Sequence, residues 1–227
     1  MEIPEGLTRE RGKTLRAPVV LDLLAEDLPE ATIALEYTTT WELLAATMLS
    51  AQSTDVKVNE VTRTLFVELP GPAAVAGAPL ERIESLIGSL GLFRQKAKNL
   101  QATAGLIMTE HGGEVPATME ELVALPGVAR KTANVVLSNG FGINAGVVVD
   151  THVTRLARRL RFTREEDPKR IERDLMRLFP RERWLEVADR LIHHGRRICD
   201  ARRPRCEDCV LEPLCPSSQE AGLTDKR

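Results

Sequence analysis

All four cysteines of the chain fall between positions 199 and 215, as Cys199-x6-Cys206-x2-Cys209-x5-Cys215. Thiolates are soft ligands suited to zinc or to an iron–sulfur cluster. A structural zinc site usually brings its ligands as two close pairs or adds histidines. Here only Cys206 and Cys209 are close, and no histidine follows His194. The spacing therefore defines a four-thiolate site without choosing the metal. Its plainest role is structural: it would fold a tail too poor in apolar residues to fold by itself.

A second constellation lies upstream. Leu125-Pro126-Gly127-Val128-Ala129-Arg130-Lys131 places a tight Pro-Gly turn ahead of a helical pattern. Backbone amides at the start of that helix, with the positive end of its dipole, suit a phosphate oxygen. No base edge is read this way, so such binding is independent of sequence. Lys131 sits in the first turn. A lysine attacks a sugar C1′ only as the neutral amine. The helix terminus, nearby arginines and partial desolvation all disfavour its charged form. Taken alone, the residue reads first as an ordinary solvent-exposed or phosphate-contacting lysine. Asp150 follows the apolar run Gly146-Val147-Val148-Val149 and precedes a helical pattern. It is a favoured N-cap, and it could also take a proton and stabilise positive charge on a sugar. His152 is either a third polar group there or a helper to local packing.

The elements that must hold these groups read as helices. Residues 41–50 carry apolar side chains at helical spacing, and Asp55 looks like the cap of a helix burying Val58, Val61, Leu65 and Leu69. Pro79–Gly88 is a short helix. Residues 94–110 line up Ala97, Leu100, Ala104, Ile107 and Met108. Thr118 and Glu121 fit a capping box. Further helices cover 129–138, the stretch after Asp150, the stretch from Pro168, and 184–198. Ala145–Val149 alone could pass for a strand. The chain has 227 residues, 43% hydrophobic and 4% aromatic, which favours an all-α protein of one or two compact units. The formal net charge is −2, yet arginines 190, 196, 197, 202, 203 and 205 face one interior acid, Asp200, and Arg155, Arg158, Arg159 and Arg161 form a second cluster. These are either solvated helix faces or phosphate-binding patches. No run reaches the ~20 apolar residues of a membrane span. The N-terminus has no signal-like core. The expected location is the cytoplasm, where structural disulfides are rare.

The segments LPGVARKTANVVL and VDTHVTR, with the cysteine tail, resemble the endonuclease III family, helix-hairpin-helix DNA glycosylases with associated lyase activity. LLAATMLSAQSTDVKVN (43–59) and GLFRQKAKNL (91–100) resemble two further segments of that family. The resemblance runs from about residue 20 to 216. It implies an all-α fold of two helical lobes with a DNA-binding groove between them. One lobe is a six-helix barrel at 33–143, with the helix-hairpin-helix at about 119–138. The other is formed by 1–32 and 144–227, with a [4Fe-4S] cluster on Cys199, Cys206, Cys209 and Cys215 in the loop 199–215. Lys131 would be the nucleophile and Asp150 the catalytic carboxylate. Gln52 would fill the gap left by an extruded nucleotide, and Leu92 would wedge into the opposite strand. By themselves, Gln52 could cap a helix and Leu92 could be core. Gly127, Ala129 and Arg130 would meet phosphate, and His152 would lie beside the DNA.

The implied activity is base excision repair. A damaged base is flipped out and removed through a Lys Schiff base, and the strand is cut by β-elimination. Oxidised or ring-saturated pyrimidines such as thymine glycol, and abasic sites, are the implied lesions. The implied partner is damaged double-stranded DNA, bound by a monomer at the bacterial nucleoid, with no membrane involved. Two rivals remain: a relative with another base specificity, such as an adenine-mismatch glycosylase, and a non-catalytic metal-stapled DNA binder. Lys131 speaks against the first, as does a chain that ends soon after Cys215. Ala129 replaces the usual second glycine of the hairpin, which a phosphate-binding amide tolerates if φ stays negative. Residues 1–19 have no counterpart and are expected to be a flexible basic arm or disordered.

Overall fold

In a computed structural model, which describes residues 2–218, every regular element is helical. In chain order the helices are α1 (Lys13–Asp27), α2 (Thr40–Leu49), α3 (Asp55–Glu68), α4 (Gly71–Gly77), α5 (Leu80–Ile87), α6 (Phe93–Glu110), α7 (Met119–Ala124), α8 (Arg130–Phe141), α9 (Thr151–Arg159), α10 (Pro168–Leu178) and α11 (Trp184–Arg197). Short 3-10 turns at Arg181–Arg183, Cys206–Asp208 and Glu212–Leu214 complete the list. No helix among the described residues is long and apolar enough to cross a membrane. Ala145–Val149 does not form a strand. It finds no partner ladder, and its valines are buried in an extended link that leads into α9. The chain divides into two compact units, Ala34–Ala145 and Met1–Ile33 with Gly146–Arg227.

The unit 34–145 is organised around α2. Leu43, Leu44, Ala45, Ala46 and Leu49 are all fully buried, so this helix is apolar nearly all round rather than along one stripe. It packs on α3, α4, α6 and α8. The backbone of α8 comes close at Gly140, where a Cβ would sit 3.1 Å from Thr40 Cγ2 and 3.2 Å from Leu43 Cδ2. Thr39 caps α2 by accepting the Glu42 amide at 3.1 Å. The cap of α3 is Thr54, not Asp55: Thr54 Oγ1 accepts the Lys57 amide at 3.3 Å. Asp55 is instead the first helical residue, where its charge complements the helix dipole. In α6 the buried row is Ala97, Leu100, Ala104 and Ile107 joined by Lys96 and Thr103. Met108 lies in the last turn beside Gly113 and is exposed.

The second unit packs α9 on α10 and α11, and α1 on α11. Its N-terminal part is neither a free arm nor disordered. Residues 13–19 belong to α1, and Arg16 is only 2% exposed. Its Nη1 donates to Leu214 O at 3.1 Å, its Nη2 to Leu160 O at 3.0 Å and its Nε to Arg11 O at 2.8 Å. Arg9 Nη1 donates to Ser218 Oγ at 2.7 Å. Arg16, which looked like part of a solvated arm, is turned inward because carbonyls without a ladder partner need donors, while Arg11 and Lys13 stay exposed. Arg16→Met strands two buried carbonyls while keeping most of the volume. It is expected to cost about 2–3 kcal/mol, a fall in Tm of roughly 5–10 °C for a protein of this size. Thermal melting checks this, and a change below one degree would mean that the N-terminal segment is not fastened here.

Candidate active site and metal centre

One face of α6 holds two of the segments singled out above. Lys96, Asn99 and Thr103 follow one another at helical spacing. Lys96 Nζ donates to Ser53 Oγ at 3.0 Å, fastening the loop after α2. Burial depresses the pKa of this lysine below its ordinary value. Thr103 Oγ1 donates to Pro126 O at 2.9 Å, fastening the hairpin. Asn99 lies against Gly127, where a Cβ would meet its Nδ2 at 2.5 Å. Sequence reading missed all three. The available signal was polar residues recurring every three or four positions beside the apolar stripe of α6.

The loop after α2 carries Gln52, and the loop before α6 carries Leu92. Both have left-handed backbones, with φ of 54° and 58°. For residues with a Cβ this conformation costs about 1 kcal/mol or more, and such residues cluster at functional sites. The two loops adjoin: a Cβ on Gly91 would lie 3.6 Å from Gln52 O. Leu92 is 61% exposed, so it is not a core residue. Gln52 is exposed and does not cap α2, since Ser50 occupies that position.

The hairpin turns at Leu125–Val128. Val128 N donates to Leu125 O at 3.1 Å, with Pro126 and then Gly127 (φ 78°) at the centre. Proline followed by a positive-φ glycine is the signature of a type II turn. Ala129 precedes α8 with φ −87°, so the alanine sits there without strain. The ladder of α8 begins with Ala133 N donating to Ala129 O. Amides before Ala133 therefore have no intrahelical acceptor, and they surround the first turn where Lys131 is exposed and Arg130 half-buried.

Asp150 is the N-cap of α9 and is held on both oxygens. Oδ1 accepts the amides of His152 and Val153, each at 2.8 Å, and Oδ2 lies 3.0 Å from His152 Nδ1. The capping role and a fixed carboxylate thus coexist, and His152 is joined to Asp150. His152 also packs on α11, where a Cβ on Gly195 would approach its Cβ to 3.0 Å.

The four cysteines line one cavity of about 350 Å³. Arginines from α9 clamp the chain around it. Arg155 donates to Gly195 O at 2.9 Å and Cys199 O at 3.1 Å. Arg159 donates to Asp200 O at 2.7 Å, Ala201 O at 2.9 Å and Cys199 Sγ at 3.2 Å. These two spend most of their donors on carbonyls, where the charge run alone suggested a solvated face or a phosphate patch. Arg190 likewise buries its Nε and Nη1, while Arg196, Arg197, Arg202, Arg203 and Arg205 are exposed. Asp200 Oδ1 accepts the amides of Arg202 and Arg203, which hold its carboxyl below the usual range. His194 is buried, with Nε2 3.3 Å from Cys209 Sγ. Burial pushes the Cys209 thiol up to about 12 and the Cys215 thiol up to about 11, and neighbouring cysteines add to both shifts. Among the described residues no three His, Cys, Asp or Glu side chains converge tightly enough for a single metal ion.

Residues 45–181 match the model of the HhH-GPD superfamily base excision DNA repair proteins. The chain is 52% identical to the endonuclease III of Synechocystis sp. over 94% of this chain and 97% of that protein. It is 39% identical to the endonuclease III of Escherichia coli over 90% and 96% of the two chains. Two solved structures, a trapped endonuclease III–DNA covalent intermediate and a non-covalent endonuclease III–DNA complex, each superpose with a TM-score of 0.87 at 40% identity, covering 92% of this chain and 98% of theirs. A thermostable thymine-DNA glycosylase shares the fold, with a TM-score of 0.79 at 23% identity. The chain belongs to the endonuclease III family.

Gly127→Ala combines a disfavoured φ with a collision against Asn99. It is expected to destabilise the hairpin by about 2 kcal/mol and weaken duplex binding. Adding Asn99→Ala removes the contacts with Nδ2 and Cγ but leaves the one with Cβ at 3.0 Å and the backbone strain, so only part of the loss returns. Equal stability of Gly127→Ala and the parent in denaturant titrations would refute this account of the turn.

Proposed function

We propose that the protein is a bifunctional DNA glycosylase/AP lyase of base excision repair. It acts as a monomer on damaged double-stranded DNA at the nucleoid, in the cytoplasm. The observation that carries the reading is an exposed residue, Lys131, in the first turn of a helix whose first amides have no intrahelical acceptor, on a chain related over nearly its whole length to endonuclease III. Gly127, Ala129 and Arg130 receive a phosphate at the mouth of α8. Gln52 fills the space of the extruded nucleotide, and Leu92 enters the stack of the other strand. Their exposure and adjoining loops support these roles.

The Lys131 amine attacks C1′ of the flipped nucleotide. The bond from C1′ to the base breaks, and the base leaves with a proton. Asp150 takes the proton from the attacking nitrogen and stabilises positive charge on the sugar. Two amides and His152 hold this carboxylate in a fixed position. Ring opening produces a Schiff base between Lys131 and C1′. Loss of a C2′ proton then expels the 3′ phosphate, cutting the strand 3′ to the lesion. Oxidised or ring-saturated pyrimidines, such as thymine glycol, and abasic sites are the substrates, because weak pairing or stacking lowers the cost of flipping.

Four half-buried cysteines lining one cavity are a donor set that fits a [4Fe-4S] cluster, and the relation to endonuclease III favours the cluster over zinc. When bound, the cluster supplies four metal–thiolate bonds that staple residues 199–215.

Borohydride should trap the parent protein covalently on a duplex bearing an abasic site or thymine glycol, and Lys131→Ala should give no adduct. A parent protein that never traps would reduce the molecule to a non-catalytic duplex binder. Asp150→Asn keeps the cap, since asparagine serves equally well there. It should bind duplex normally and turn over about 10²–10⁴-fold more slowly. Unchanged turnover would leave Asp150 as a cap alone. The purified protein should carry iron and sulfide and show broad visible absorbance. A colourless protein holding only zinc would overturn the cluster assignment.

A further inference from the structure

A groove of about 1280 Å³ lies wholly within the unit that contains α9. Thr151, Thr154 and Arg158 face it from α9, at helical spacing, and Lys13, Arg161 and Arg164 complete its basic wall; the lining also holds two acids, Glu165, which meets Arg170, and Asp174, which accepts from Thr163 Oγ1. Arg158, Arg161 and Arg164 are exposed. Lys13 donates to Phe162 O at 2.6 Å, which engages a proton without cancelling the charge. Arg158 meets Glu166 at 3.1 Å, in a bridge exposed on both sides and therefore weak. Arg161 and Arg164 form no ion pair among the described residues. This bank of cations stands on a chain whose formal net charge is −2.

The backbone at Arg161 is a second, independent sign. Arg161 follows the end of α9 with φ 53°. Phe162 N reaches back to Ala157 O at 2.8 Å, and Leu160 is the C-cap. This is the helix ending in which the left-handed position normally belongs to glycine. An arginine here is held against its backbone preference, with its side chain at the groove.

We propose that this groove is a phosphate-binding wall for duplex DNA flanking the lesion, distinct from the hairpin at Lys131. The inference rests on the functional reading above, because the groove begins at Thr151, next to Asp150. From Thr151 to Arg159 the helix covers about 12 Å, or roughly three to four nucleotide steps at 3.4 Å of axial rise. The wall grips backbone, not base edges, so its contribution is independent of sequence and sensitive to salt.

The test uses the full-length protein and a duplex of about 25 base pairs with a central non-cleavable abasic analogue. Affinity is measured as a function of salt for the parent and for Arg161→Gly with Arg164→Gln. Each lost phosphate contact lowers the slope of log K against log salt by about 0.9. The double variant should therefore lose nearly two units of slope and bind about tenfold more weakly at moderate salt. Arg161→Gly alone should show an unchanged or higher Tm while still losing about one unit, a combination that a purely structural arginine would not give. An unchanged slope overturns the proposal. So does a variant that has lost binding to polyglutamate while duplex binding is intact, which would assign the groove to an acidic protein. Borohydride trapping of the parent, run alongside, reports separately on the catalytic reading: a parent that traps with a flat difference in slope rejects the groove alone.

Discussion

Backbone carbonyls without a ladder must find donors elsewhere, and that requirement shapes the unit containing the cysteines. From residue 198 to 218 the chain has only two short 3-10 turns, so most of its carbonyls have no regular partner. Arginines supply the missing N–H groups. Arg155 and Arg159 reach from α9, and Arg16 reaches from α1. The planar guanidinium suits this work, since one side chain satisfies several acceptors in a fixed fork. The same arginines hold the loop on which four thiols surround one cavity. A residue type that reads as surface charge is thereby part of the interior scaffold.

The other unit depends on a different economy of parts. A single helix, α6, presents an apolar row to the core and a polar row to two loops. Lys96 and Thr103 use side-chain hydrogen bonds, and Asn99 uses close contact. The left-handed loop residues and the hairpin thus share one rigid support. Sites built on regular elements are more precise than sites built on loops alone. Here the reactive positions lie on loops, and the precision comes from the helix beneath them.

Much of this was legible in the residues. Hydrophobic periodicity places most helices within a residue or two, since all but α2, which is apolar nearly all round, bury a stripe. Caps at Thr118 and Asp150 were readable because a short polar side chain before an apolar run has few other uses. The misplacement at Asp55 shows the limit: two adjacent residues can each cap, and only the path of the backbone selects Thr54. The role of Arg16 was not legible, because its acceptors lie 144 and 198 positions away. Nor could the inward turn of Arg155 and Arg159 be read from a charge run, which looks the same whether it faces water or carbonyls. Exposure of Leu92 was equally hidden, since an isolated leucine carries no sign of direction.

The route of the chain through its two units has a consequence for biosynthesis. Residues 34–145 form a contiguous unit and can collapse as soon as they leave the ribosome. Arg9 and Arg16 are made before this unit, yet their partners Leu160, Leu214 and Ser218 are made after it. Arg9 and Arg16 must therefore wait until the middle unit has been made before they find these acceptors. Closing so long a loop is slow more than it is costly. Assembly of the cysteine-bearing unit thus follows that of the middle, and a polypeptide stalled before Leu214 would display a finished middle with Arg16 unattached.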